Sequence, residues 1–309
     1  MNRARLAATS IAVVFCSLWV FAQTAAQAPT APPSVPAAQG PGRGQGRGGG
    51  RGPRPRKTLL IWADTRNGQA QHDSVSHAMA VIERLGYESG VYDSYIRTDS
   101  NIISKSPLKT TGEPASGGPS LANVDAIFFL GHREVELDDK QKADLLSFVK
   151  DEGKGFVAAH TATTAFLGWP EFGEMLGARY DGHPWGSAAG TIINEDAAFP
   201  ATRHFGAAPF AFTDEFYQAK DYSREKLRVL LRLDVSKMPP NDEVHRTDGD
   251  FPLVWAKTYG KGRVFYSALG HAASTWDNRD VGQMYLEAIK WAMGLTEGDA
   301  TPRPMPATK

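Results

Sequence analysis

The 309-residue chain contains a single cysteine, Cys16, set within the apolar run IAVVFCSLWVFA near its start. If that run is removed, no thiol is left. Disulfides, thiolate nucleophiles and cysteine-based zinc sites are then excluded by counting. Val14 and Phe15 stand before Cys16 where a lipoprotein signal would have small residues. Net charge is also missing, since 34 basic residues balance 34 acidic ones. The balance is uneven along the chain: eight of the basic residues precede the first acid, Asp64, and leave 26 basic against 34 acidic residues in the remainder. That remainder has no electrostatic footprint for nucleic acid. No later apolar run reaches the ~20 residues of a spanning helix, and no internal repeat is visible.

The N-terminal 22 residues carry Arg3 and Arg5, the apolar run, and then small residues around Ala22. This is the layout of a cleaved secretory signal peptide, so the chain is expected to be exported, to a periplasmic or extracellular location, without a stable membrane span. Residues 23–56 are almost wholly Ala, Pro, Gln, Gly and Arg. Such a stretch cannot bury enough apolar surface to offset its conformational entropy and reads as a disordered linker.

From residue 57 to about 296, apolar runs of strand length alternate with helical periods. TLLIWAD reads as a buried strand, and HDSVSHAMAVIERLG as a helix with Ala78, Val81, Ile82 and Leu85 on one face and Gly86 as its stop. SGVYDSY, AIFFLG and GFVAAH are further strands, with DDKQKADLLSFVKDEG a helix between the last two. Continuous apolar strands separated by helices imply an α/β fold: a mostly parallel sheet with helices on both faces. Later the pattern turns strand-rich, and Gly260 to Gly262 predicts the turn of an added antiparallel hairpin. DVGQMYLEAIKWAMG closes the domain as a helix, and the Pro-rich residues 297–309 are expected to be a disordered tail.

In open parallel sheets, ligands bind beyond the carboxyl ends of the strands. Asp64, His160 and His271 follow apolar strands there, and His72 opens the first helix. Against a functional role stand structural readings, a capping role for His160 and a helix-cap neighbour for His72. GFVAAHTAT favours function, because a strand ending in an elbow presents its tip residue out of the sheet. In FTDEFY, neighbours point to opposite faces; Thr213, Glu215 and Tyr217 form the more polar set, which selects Glu215 over Asp214. His160, Glu215, His271 and His72 are the catalytic candidates. Asp64, Tyr217 and the loop residues Asp181, His183 and Trp185 of YDGHPWG are candidates for holding a sugar. His132 reads as a surface loop residue. No HExxH or other local ligand spacing occurs, so no cofactor is assigned; a divalent metal, zinc on His72, His160 and His271, stands as an alternative.

GFVAAHTAT, WPEFGEMLGARYDGHPW, FPATRHF, FTDEFYQ, VLLRLD and FPLVWAKTYGKGRVFYSALGH together resemble the ThuA-like (trehalose utilisation) family of the class I glutamine amidotransferase-like superfamily. The resemblance implies a flavodoxin-like core and a role in carbohydrate catabolism, with a small-molecule sugar as partner. Phe199 stands where the family often has His before PAT. Amidotransferase relatives carry Cys at the elbow and an acid two residues after a late-strand His. Here the elbow is His160, and His271 is followed by Ala272 and Ala273. Glutaminase chemistry is therefore excluded on residue type. Proton transfer between His160 and Glu215 on a disaccharide, glycoside or keto-sugar is the expected chemistry, with a non-catalytic sugar-binding module as the other reading.

Overall fold

A computed structural model describes residues 56–306 apart from 69, 135 and 136. The expected signal peptide and all but the last residue of the expected linker lie outside the described residues.

Nine strands form one sheet. Lys57–Trp62 (β1), Tyr92–Arg97 (β2), Ala126–Phe129 (β3), Gly155–Ala159 (β4) and Gly262–Ser267 (β11) run parallel in the order β2-β1-β3-β4-β11. β3 and β4 are buried along their whole length, which is why they read as uninterrupted apolar runs. Helices Ser74–Ser89 (α1), Ala273–Asp277 (α4) and Arg279–Ala292 (α5) pack together, as do Asp139–Lys150 (α2) and Pro170–Leu176 (α3). The chain thus has the α/β architecture with a mostly parallel core that its sequence predicts.

The antiparallel part is larger than one hairpin. Pro252–Tyr259 (β10) turns at Gly260 into β11, but it also pairs with Arg228–Leu233 (β9), which pairs with Ser187–Asn194 (β6) and through it with Phe210–Glu215 (β7). Gly260 has φ 57°, and a Cβ there would lie 2.3 Å from the Lys150 carbonyl oxygen. No other residue fits that turn without displacing backbone. Arg179–Tyr180 (β5) and Ala219–Lys220 (β8) form a separate two-stranded pair.

One expectation needs correction. α1 does not stop at Gly86 but runs to Ser89, with Gly90 as its left-handed cap at φ 67°. Gly86 serves packing instead: a Cβ there would lie 2.3 Å from the Tyr92 ring, whose hydroxyl donates to the Ile82 carbonyl at 2.6 Å. The described part of the tail, residues 297–306, makes hydrogen bonds to the body of the domain. Trp291 Nε1 donates to Gly298 O at 3.1 Å, Arg228 Nη1 to Thr301 O at 3.1 Å, and the Arg303 guanidinium to the Glu195 carbonyl.

The carboxyl ends of β4 and β11 adjoin at the centre of the sheet. β7 lies at the far edge of the strand order, yet its last residues contact the loop after β11 through hydrogen bonds to Asp214. That return brings Glu215 over the central strand ends.

Candidate functional site

His160 follows the last residue of β4 and opens a 3-10 turn, His160–Thr164. Its φ of 42° lies in the left-handed region, which is uncommon and strained for a residue with a side chain. The strain is held by contacts on both sides of the residue. Tyr266 Oη donates to the His160 carbonyl at 2.8 Å, and His160 Nδ1 lies 2.7 Å from the Ala268 carbonyl. A carbonyl only accepts, so Nδ1 carries a proton. The ring is fully buried and stacks on Tyr217 at 4.2 Å.

His271 sits in the loop after β11, and the neighbour of Glu215 fixes it there. Asp214 accepts from Gly270 N at 2.8 Å, His271 N at 3.1 Å and Thr275 Oγ1 at 3.2 Å. The strand alternation that turns Glu215 toward the cavity turns Asp214 toward this loop. Gly270, at φ 145°, lets the loop pass the Trp276 ring, which a Cβ would meet at 2.8 Å. His72 precedes α1, and its ring meets those of His271, His160 and His132 edge-on at 4.8, 5.1 and 5.5 Å.

These residues converge on one carboxylate. Glu215 Oε2 lies 3.1 Å from His271 Nδ1, 3.5 Å from His160 Nε2 and 3.9 Å from His72 Nε2, and Oε1 lies 3.7 Å from His183 Nε2. The donor atoms of His72, His160, Glu215 and His271 all fall within 4.8 Å of one another. Proximity does not bring satisfaction: His160 Nε2 and His271 Nδ1 are buried and make no hydrogen bond. A buried polar atom without a partner costs about 1–3 kcal/mol, so an arrangement with two of them calls for a ligand. Burial opposes the charge of Glu215, yet the imidazoles of His160, His72, His271 and His183 outweigh it and hold the carboxyl well below the usual range. Burial pushes the His271 imidazole down despite Glu215, which favours its neutral form.

A cavity of about 540 Å³ opens above His72 and Glu215, with Tyr180, His183 and Tyr217 along it and the exposed Arg133 and Glu134 at its mouth. Tyr180 meets Tyr217 edge-on at 4.7 Å, and His183 lies 6.0 Å from Tyr217. Aromatic faces beside hydroxyl and carboxylate groups suit a sugar, whose ring stacks while its hydroxyls hydrogen-bond.

Of the residues the sequence singles out, His160, Glu215, His271, His72, His183 and Tyr217 come together here. Three do not. Asp64 accepts from the Ser100 hydroxyl and from Arg66 N at 2.9 Å in a separate polar cleft with Asp99 and Asn101. Asp181 pairs with His245 Nδ1 at 2.8 Å and Lys220 Nζ at 3.7 Å. Trp185 packs on Phe251 and donates to Pro239 O at 2.9 Å, anchoring the loop that carries His183.

His132 is not a surface loop residue. Arg133 Nε donates to its Nε2 at 2.9 Å, which leaves Nδ1 to donate to Thr164 Oγ1 at 2.8 Å. Burial, with His72, Arg133 and His160 nearby, pushes this imidazole down to about 4. Its position after β3 was a usable signal, the same one that marks His160 after β4. Asp214, Tyr180, Arg133 and Glu134 carried no comparable signal.

Residues 58–292 match the ThuA family, described as trehalose utilisation. Among solved structures, a ThuA-like protein from Bacteroides uniformis superposes with a TM-score of 0.60 at 20% identity, covering 77% of this chain and 91% of that one. Another, from Parabacteroides merdae, gives 0.58 at 20% identity over 78% and 90%. No curated protein matches the sequence. With the match spanning the whole sheet and every residue around Glu215, this chain belongs to the ThuA family.

Proposed function

We propose that this chain is an exported, carbohydrate-converting enzyme with Glu215, His72, His160 and His271 at its reacting centre. The observation that carries the reading is the convergence of three imidazoles and a carboxylate beneath an aromatic-walled cavity. The family's link to trehalose utilisation supports a disaccharide, glycoside or keto-sugar as substrate. A pure sugar-binding module relies on aromatics and amides, and has no need to bury ionisable groups that perturb one another. Glutaminase chemistry stays excluded, since the elbow residue is His160 and Cys16 is the only thiol in the sequence. Tyr180, Tyr217 and His183 hold the ring, and the reacting bond lies over Glu215.

The test is incubation of the purified chain with disaccharides, glycosides and their keto derivatives, with products followed by NMR. Turnover that falls by about 10²- to 10⁴-fold in Glu215→Gln supports the reading. A sugar that stabilises the protein by about 2.7 kcal/mol at a hundred times its dissociation constant, yet is never converted, establishes the binding module instead.

A further inference from the structure

The arrangement around Glu215 has the chemistry of a metal site, and the following inference rests on the proposed reading of this cavity as the reacting centre. Ions bound by imidazole and carboxylate sit ~2.0–2.2 Å from each donor, so two donors on one ion are separated by about 3 Å when adjacent and up to ~4.4 Å when opposite. His271 Nδ1, His160 Nε2 and His72 Nε2 lie 3.1, 3.5 and 3.9 Å from Glu215 Oε2. Those separations suit a shared ion after shifts of a few tenths of an ångström. The proton on His160 Nδ1 is fixed by the Ala268 carbonyl, the outer-sphere bond that metal-binding histidines commonly make. His160 Nε2 is left aimed, wholly buried and unpartnered, at the centre of the cluster. His271 is held by its backbone to Asp214, so its ring is positioned without using either ring nitrogen.

The donor set also selects among ions. With nitrogen and oxygen donors and no thiolate, the set suits the Mn2+ to Zn2+ series. A catalytic zinc keeps three protein ligands and one open position, whereas four protein ligands on a tetrahedral zinc make a closed, structural site. Here four ligands coexist with an open cavity, since His72 and Glu215 line it. An ion that readily takes five or six ligands satisfies both facts.

We infer that His72, His160, Glu215 and His271 bind one divalent ion of the Mn2+, Fe2+, Co2+ and Ni2+ class, with its remaining positions open to the cavity for two adjacent oxygens of a sugar.

The full chain, stripped with a chelator, is titrated with Co2+ alone and followed by its visible spectrum. The expected result is stoichiometric binding with the weak bands of a five- or six-coordinate ion, which shift when a sugar with vicinal oxygens is added. Glu215→Gln and His160→Gln should each weaken binding by at least roughly 100-fold, the upper end of what loss of an outer-sphere partner costs. His77→Ala, at an exposed histidine paired with Asp277, should bind as the parent does. Failure of the parent chain to bind Co2+, or equal binding by Glu215→Gln, overturns the site. Intense tetrahedral bands overturn the coordination number. Co2+ binding as described without conversion of any sugar keeps the metal site and removes the enzyme reading; sugar conversion by a stripped chain that fails to bind Co2+ does the reverse.

Discussion

Two polar clusters, one among the antiparallel strands and one where β7 meets the ends of the parallel strands, differ in one respect. Around Arg224, the guanidinium and the two carboxylates it meets are all hydrogen-bonded. Its guanidinium donates to both oxygens of Glu195 at 2.6 and 2.9 Å and to both oxygens of Asp250 at 2.7 and 2.9 Å, and Tyr222 adds a 2.6 Å bond to Asp250. Arg232 Nε lies 2.9 Å from Glu195, near enough to pair though not aligned to donate. Around Glu215 the groups stand farther apart, at 3.1 to 3.9 Å, and His160 Nε2 and His271 Nδ1 face the carboxylate without a hydrogen bond. A saturated cluster has nothing left to offer a ligand and ties strands together. An unsaturated one is stable only because the surrounding fold imposes it, which is the mark of a site that waits for something.

The largest expected effect breaks the saturated cluster. Arg224→Met strands two buried carboxylates and should lower stability by about 3–5 kcal/mol in urea unfolding. Glu215→Gln, by contrast, removes a carboxylate held only by longer imidazole contacts and should cost less than Arg224→Met, about 1–3 kcal/mol. Equal losses would erase the distinction between the clusters.

Next comes Asp214, which belongs to the saturated kind but serves the other site. Asp214→Asn weakens its bonds to Gly270, His271 and Thr275 and should cost about 1.5–3 kcal/mol. It should also lower Co2+ affinity, because His271 loses its anchor. A stability loss with unchanged affinity would show that His271 is placed by other contacts.

The clusters should also differ in acid. Burial opposes the charge of Asp250, but Arg224 and Tyr222 outweigh it and hold its carboxyl below the ordinary value. The folded state therefore binds fewer protons than the unfolded one. The resulting stability is fully present above the unfolded value of ~3.9 and is lost as pH falls through the depressed folded value. An Asp250→Asn variant, less stable throughout, should show a flatter acid limb when unfolding is measured from pH 5 downward, over roughly the range where carboxylates titrate.

The smallest effect comes from a residue outside both clusters. Asn278 caps α5 by accepting from Asp280 N at 2.9 Å and Val281 N at 3.3 Å. Asn278→Ala should cost ~1 kcal/mol and leave Co2+ binding unchanged. If it shifted the affinity, general loosening would account for the other variants as well.

The parallel core was legible because a strand buried on both faces must be apolar throughout, as AIFF and GFVAA are. The choice of Glu215 over Asp214 was legible for a related reason, the two-residue alternation of side chains along a strand. The breadth of the antiparallel extension was not, since pairing partners are set by tertiary geometry and the same strands could have closed as separate hairpins. Gly86 misled because a glycine inside a helix reads as a stop until Tyr92 is seen filling the space a side chain would take. Asp64, Asp181 and Trp185 misled differently. Their residue types suit a sugar site, but each is already engaged by a partner distant in sequence.

By itself, the sequence determined that Cys16 is the single cysteine, that a histidine stands at the elbow, and where the apolar strands end that carry the site. Those follow from counting and from local periodicity, which need no partner. Only the tertiary structure decided that β7 returns from the far edge of the sheet to place Glu215 among three imidazoles. It also decided that His160 Nε2 and His271 Nδ1 would be buried there without hydrogen bonds. Convergence and satisfaction are properties of pairs of residues far apart in the chain, so no local pattern encodes them.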